Sequence, residues 1–337
     1  MSIAVPLYGF GASGGGTGGT LTVTAPANVT VTVSKDGKTK TKNSGTTGVV
    51  VFKGLSSGTW TVTITGDGKT AQKNVVITTD YSTAISFNTI PEFTYTGDYE
   101  IVNDSDEPIT ISEGNWKIRF LTSGTLTFTN LNGAEGGIDV FLVGGGGGGG
   151  QGWNSAGAGG GGGYTKTVKA VTVAAGTAYT ITVGAGGTVT STAKSNNGGT
   201  TSAFGSSVSG GEGGGGINQG NINWVGGKGG SGGGDYSHNY GGTDGSNANP
   251  GGTGQGTTTR EFGVSGGKLY SGGGSSGTNI YGGATTIGAV DETAGAPGIT
   301  PPANRGGGGG GSNHAGYNNA TAGGSGIAII RNTRGAA

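Results

Sequence analysis

Seven side chains in this 337-residue chain have the chemistry of a recognition surface: Trp224, Tyr236, His238, Tyr240, Tyr281, His314 and Tyr317. They fall in four short stretches, residues 217–224, 235–240, 278–281 and 312–319, which also carry Asn, Ser or Thr and lie between glycine runs. Aromatic rings offer large rigid faces at low entropic cost, and amides and hydroxyls add adaptable donors and acceptors, a mixture shared with antibody paratopes. Such stretches suit a surface glycan or a protein loop. The alternative is that the rings cap the ends of a glycine-rich body.

Catalytic chemistry has much less support. His238 and His314 are the only histidines, cysteine is absent, and no Glu-x-x-His pattern or group of carboxylates surrounds either histidine. No nucleophile has a base partner, so the chain is expected to be non-enzymatic, without metal or cofactor. Gly-x-Gly-x-x-Gly matches and the stretch Gly227-Lys-Gly-Gly-Ser231 superficially look like phosphate loops, but no helix follows them to supply an anion-binding N-terminus. The cluster Asp104-Ser-Asp-Glu107 lacks the spacing of a calcium loop and reads as a solvated turn. Eighteen basic residues balance 18 acidic ones, which leaves no electrostatic footprint for nucleic acid. No run approaches the ~20 apolar residues of a membrane span.

Positioning the four stretches falls to the glycines. Of the 85 in the chain, 68 lie beyond residue 132, in runs such as 144–150 and 306–311. There is no Gly-X-Y register and there are only eight prolines, which excludes collagen. Phe141, Tyr164, Phe204, Phe262 and Tyr270 are interspersed among them, and a solvated linker would lack such rings. The remaining solution is a lattice of polyproline-II-like glycine strands, three residues per turn, that hydrogen-bond to neighbouring strands rather than internally.

The rest of the chain alternates with period two. Val29-Thr-Val-Thr-Val33, Val49-Val-Val-Phe52 and Thr59-Trp-Thr-Val-Thr-Ile64 read as half-buried strands, with Asp36-Gly37 and Asp67-Gly68 suited to tight hairpins. These predict a six- or seven-stranded sandwich over residues 20–90, with Trp60 in its core. A second strand block begins at Pro91 and includes Trp116-Lys-Ile-Arg-Phe-Leu121 and Ile138-Asp-Val-Phe-Leu-Val143. The late apolar strand Gly326-Ile-Ala-Ile-Ile-Arg331 needs a partner, and the strand ending at Val143 is the expected one. That pairing would close a glycine-rich β domain over 91–337 and tether both ends of an insertion at 188–324. Residues 1–19 are a short apolar leader, Ile3, Val5, Leu7, Tyr8 and Phe10, and a Gly-rich joint. The leader is a candidate anchor peptide for another subunit.

Two resemblances sharpen these expectations. Val51-Phe-Lys-Gly-Leu-Ser-Ser-Gly-Thr-Trp-Thr-Val-Thr-Ile64 resembles the strand-turn-strand signature of small immunoglobulin-like or prealbumin-like modules, in which Gly54 and Gly58 bracket a corner and Leu55 plugs the sandwich. Residues Gly114-Asn-Trp-Lys-Ile-Arg-Phe-Leu-Thr-Ser-Gly-Thr-Leu-Thr-Phe128, Asp139-Val-Phe-Leu-Val-Gly-Gly145 and Gly323-Gly-Ser-Gly-Ile-Ala-Ile-Ile-Arg331 resemble the glycine-rich domain of tailed-bacteriophage virion proteins. The implied molecule is all-β: an immunoglobulin-like sandwich followed by a β scaffold carrying a polyglycine-II-like body. The resemblance further implies a virion protein of tail-fibre or adhesin type, assembled in the host cytoplasm, whose partners are other virion subunits and a host surface glycan or protein. Strand edges and glycine strands that packing of copies would cover make a homotrimer the expected assembly, with a monomeric lattice capping another subunit as the alternative. A capsid head fibre or decoration protein is the alternative within the virion, and a bacterial surface adhesin or glycine-rich matrix protein the alternative outside it.

Overall fold

The computed structural model describes residues 18–334 except 67–68, 88, 111–113, 153–155, 192–193, 219–220, 223–224, 236–240, 243, 248–251, 253, 278–292 and 314–318. The protein is all-β and divides into two compact units, Met1–Asn88 and Thr89–Ala337.

The first unit contains β1 (Gly19–Thr24), β2 (Thr30–Lys35), β3 (Lys38–Asn43), β4 (Val49–Leu55), β5 (Gly58–Gly66), β6 (Lys69–Ile77) and β7 (Tyr81–Ala84). They form a three-stranded sheet, β4-β1-β7, and a four-stranded sheet, β3-β2-β5-β6, that share one apolar core. The alternation expected from the sequence is what builds that core: Leu21, Val23, Val31, Val33, Val62 and Ile64 are all fully buried while the threonines between them face outward. Trp60 is buried and its Nε1 donates to Ser56 O at 2.9 Å, which satisfies its single polar atom. Leu55 is fully buried between Gly54 and Gly58, both at positive φ (65° and 118°), conformations open to glycine at little cost.

Strand β3 is an edge, and its lysines protect it. The register sets Lys40 beside Val33 and Lys42 beside Val31, on the core-facing side. Their stems cover the gap between the two sheets, and their Nζ atoms donate to Lys53 O (2.6 Å) and Val51 O (2.7 Å) on β4. Inward-pointing charges of this kind make the edge a poor template for a further strand.

The second unit contains β8 (Glu92–Tyr95), β9 (Tyr99–Val102), β10 (Lys117–Phe120), β11 (Gly124–Asn130), β12 (Ile138–Val143), β13 (Thr165–Val171), β14 (Ala178–Ile181), β15 (Thr201–Ala203), β16 (Ser206–Val208), β17 (Ile217–Asn218), β18 (Asn221–Ile222) and β19 (Ile327–Asn332). A five-stranded antiparallel sheet, β13-β12-β19-β10-β9, faces a three-stranded one, β14-β11-β8. Between them lie Ile118, Phe120, Leu126, Phe128, Val140, Leu142 and Ile330. Strand β19 pairs with β12, as its apolar run requires, from Ile138 opposite Asn332 to Val143 opposite Ile327. It also pairs with β10 on its other side, so it is central rather than an edge.

The opposite face of the five-stranded sheet is covered as well. Phe141, Val143, Ile327 and Ile329 pack under Phe262 and Tyr270, from a segment containing two 3-10 turns, Thr257–Thr259 and Glu261–Gly263. Burial on both faces explains why β12 reads as an almost unbroken apolar run.

From β12 the chain enters seven consecutive glycines, 144–150, and these form the centre of a glycine lattice. Every N–H in the run donates to a backbone carbonyl, at 2.8 to 3.0 Å. The acceptors repeat with period three. Gly144, Gly147 and Gly150 donate to Tyr164, Gly161 and Ala158; Gly145 and Gly148 to Gly199 and Asn196; Gly146 and Gly149 to Gly324 and Thr321. Falling numbers on the acceptor side make all three neighbours antiparallel. The carbonyls accept from another three segments: Gly145 and Gly148 from Gly211 and Gly214, Gly147 and Gly150 from Gly309 and Ser312, and Gly146 from Gly187. Numbers rise together in the first two pairs, and Gly145 and Gly148 lie against Ala185 and Thr188, so these three neighbours run parallel. A strand whose successive groups point in three directions has the threefold screw of polyproline II, and six neighbours complete its coordination. The run 157–164 is surrounded in the same way, by segments at 144–150, 209–215, 227–230, 231–234, 271–277 and 306–312. The lattice takes in runs on both sides of residue 188, and its central strand, 144–150, lies outside the 188–324 insertion.

Candidate functional site

Strand direction in the lattice determines which ends lie together. Residues 144–150 continue out of β12, 157–164 run into β13, 195–200 into β15, 209–216 out of β16, and 321–326 into β19. One end of the lattice is thus continuous with the β scaffold. At the other end, Gly150 pairs with Ala158 and Ser312, Ala158 with Gly215, Gly157 with Ser312 and Gly277, and Gly159 with Gly234. Residues 216, 234, 277 and 312 each close an outward strand at this distal end, roughly 20 Å from the scaffold at ~3.1 Å per residue.

Those four residues immediately precede or open the four stretches singled out in the sequence. The hairpin β17–β18 follows directly from the outward strand 209–216, with Ile217 opposite Ile222. Trp224, Tyr236, His238, Tyr240, Tyr281, His314 and Tyr317 themselves lie outside the described residues, as do the anchor candidates Ile3, Val5, Leu7, Tyr8 and Phe10. The described backbone brings the points from which the stretches depart to one end of the body.

A second chemically rich region was not anticipated. Lys117 and Arg119, alternate residues of β10, point to the same face as Arg331 of β19 and Asp139 of β12, and all four are buried. Lys117 Nζ lies 2.5 Å from Asp106 Oδ1 and 2.8 Å from Glu261 Oε1. Arg119 Nη2 is ion-paired with Asp106, and Lys268 Nζ reaches the other oxygen of that carboxylate at 3.2 Å. Tyr270 donates its hydroxyl to Glu261 Oε2 at 3.0 Å. The cluster fastens the 257–270 segment to the sheet through ionic contacts beside the apolar ones.

Burial raises the Asp106 pKa, but hydrogen bonds from Arg119 and Lys117 outweigh that penalty and hold it well below the usual carboxylate range. Burial, reinforced by the charge of Glu261, pushes the Tyr270 hydroxyl far above its ordinary value, so it remains a neutral donor. Phe262 takes a left-handed φ of 54°, rare for an aromatic residue, and its ring lies 5.7 Å from that of Phe141 and beneath the Arg331 guanidinium at 4.0 Å.

The reading of 104–107 as a solvated turn is thereby corrected. Asp104 and Glu107 are exposed, but Asp106 is half-buried because three cations converge on it. The available signal was charge inside apolar strands: Lys117 and Arg119 alternate with Ile118 and Phe120, Asp139 interrupts Ile138 and Val140, and Arg331 follows Ile330. Such residues are rarely buried without partners on a neighbouring element.

Among the described residues no helix is long and apolar enough to cross a membrane, and no group of three or more His, Asp or Glu could hold a metal ion. No curated protein matches the chain. The family model of a glycine-rich domain matches residues 121–333, well over half of the sequence and the whole of the lattice, and the chain belongs to that glycine-rich domain family.

Proposed function

We propose that this chain is a non-enzymatic virion protein of tail-fibre or adhesin type, whose glycine lattice holds recognition segments at its distal end and whose first unit, an immunoglobulin-like or prealbumin-like module, serves as a spacer. The observation that carries the reading is the common departure point of the four Trp-, Tyr- and Asn-bearing stretches at the end of the lattice remote from the scaffold. A lattice fixed by backbone hydrogen bonds presents such segments with little loss of entropy on binding, because their anchor points are already ordered. The resemblance of the scaffold strands to phage virion proteins supports the setting. On a homotrimer, weak contacts of individual segments would add through avidity at a host surface glycan or protein.

Replacing Trp224, Tyr236 and Tyr240 together by alanine tests the reading. Binding of the protein to host cells is expected to fall by at least about tenfold, the scale of losing aromatic anchors, with an unchanged melting temperature. Unchanged binding, or a melting temperature that falls with it, would show that these rings cap the lattice and take no part in recognition.

A further inference from the structure

Between the outer face of the five-stranded sheet and the 261–268 turn lies a cavity of about 490 Å³. It sits near the C-terminal end of β19, whereas the lattice joins that strand at its start. Four cations line it, Lys117, Lys268, Arg331 and Arg334, against three carboxylates, Asp104, Asp106 and Glu261.

The balance of donors and acceptors is more one-sided than the balance of charge. Each carboxylate is already engaged: Asp106 by Lys117, Arg119 and Lys268, Glu261 by Lys117 and Tyr270, and Asp104 by Arg334 and Asn115. The cations have donors left over. Lys268 contacts one carboxylate oxygen, and Arg334 uses Nη2 alone for Asp104. Arg331, only 7% exposed, hydrogen-bonds through Nε to Asp139, and among the described residues its two terminal nitrogens have no partner. Its guanidinium is held over the Phe262 ring, 4.0 Å from the centroid, and by the Asp139 contact at Nε. Burial and then the neighbouring charge of Arg334 push the Arg331 pKa below its usual value. An anion beside the two guanidiniums would relieve that repulsion and accept the unused N–H groups.

The cavity is too large for a bare inorganic ion. Its volume falls in the range of small-molecule sites, and its remaining wall combines the polar Ser105, Ser265 and Gly266–Gly267 backbone with the apolar Phe262 and Val264, a mixture that suits the hydroxyls and the C–H face of a sugar ring. We propose that it binds an acidic monosaccharide unit, with the carboxylate held by Arg331 and Arg334 and the sugar hydroxyls by Lys268, Ser265 and the backbone of residues 264–267.

Calorimetric titration of the full-length protein with glucuronate, glucose and inorganic sulfate tests the site. Saturable glucuronate binding is expected, with glucose inert and sulfate much weaker. Arg334→Gln and Lys268→Gln, both at partly exposed side chains, should each weaken glucuronate binding by about tenfold, the loss of one charge-assisted contact, with only the small drop in melting temperature expected of losing one partly exposed ion pair. Absent glucuronate binding, or binding indifferent to both substitutions, overturns the proposal. Sulfate binding as strong as glucuronate binding overturns its saccharide part. The cavity is separate from the distal end of the lattice, so its failure would leave the host-recognition reading standing.

Discussion

Replacing Gly147 by valine is expected to unfold the second unit and leave the first folded, read in calorimetry as the loss of one transition. Gly147 donates to Gly161 O, accepts from Gly309 N–H and sits midway along the central lattice strand. A Cβ built on it would fall on the carbonyl group of Glu212, far inside van der Waals contact. That carbonyl accepts from Gly161 N–H at 2.9 Å, so moving it breaks a buried hydrogen bond in the adjoining strand as well. Ordinary overpacking costs roughly 1–3 kcal/mol because side chains can shift. Here backbone meets backbone, each lost buried pairing adds about 1–3 kcal/mol, and the sum rivals the ~5–15 kcal/mol stability of a whole domain. Gly136 is the matched control, because it is exposed and a Cβ there meets nothing. Gly136→Ala should change stability by less than about 0.5 kcal/mol.

The second large effect is expected at Glu261. Alanine there removes one of the two carboxylate partners of Lys117 Nζ, leaving Asp106 alone against it, and the acceptor of the Tyr270 hydroxyl, in a place where Lys117, Glu261 and Tyr270 are almost wholly buried. Breaking a buried ion pair from one side costs roughly 3–5 kcal/mol, largely because the remaining charge stays desolvated. Thermal melting should show that loss, together with faster proteolysis within 257–270. Pairing Glu261→Ala with Lys117→Met should restore part of it, since the surplus buried positive charge around Asp106 is then reduced. A double mutant no better than the single would show that the cluster does not couple the segment to the sheet. In the same melts the wild-type contacts of Asp106 should tolerate mild acid. The folded pKa of Asp106 is depressed, so its contribution is complete above the unfolded value of about 3.9 and is lost only as pH falls from there toward the lower folded value.

The strands were legible in the sequence because their faces differ. Alternation in Val29-Thr-Val-Thr-Val33 and Thr59-Trp-Thr-Val-Thr-Ile64 places every second side chain in the first unit's core, and the apolar runs ending at Val143 and Arg331 identify two strands that must pair. Strand β3 was not legible. Lys38-Thr-Lys-Thr-Lys-Asn43 carries no apolar residue, and its place is set by backbone pairing with β2. The lattice could be anticipated as a type of structure but not as a topology. Glycine has no side chain to mark a face, so which run neighbours which is decided by hydrogen bonds that leave no trace in composition. The charged cluster was obscured for another reason: its members, at 106, 117, 119, 261 and 268, are brought together by tertiary pairing over a sequence separation of up to 162 residues.

The central claim is that the glycine runs form an ordered lattice whose two central strands are hydrogen-bonded at every N–H, and amide hydrogen exchange of 144–150 and 157–164 tests it most directly. Each N–H of 144–150 and 157–164 is engaged by a backbone carbonyl within the lattice. The expected result is strong protection of peptides from both runs, lost only with global unfolding of the second unit. Exchange of these glycine amides at random-coil rates, in a protein whose β12 and β19 remain protected, would contradict the lattice and with it the common distal end on which the recognition reading rests.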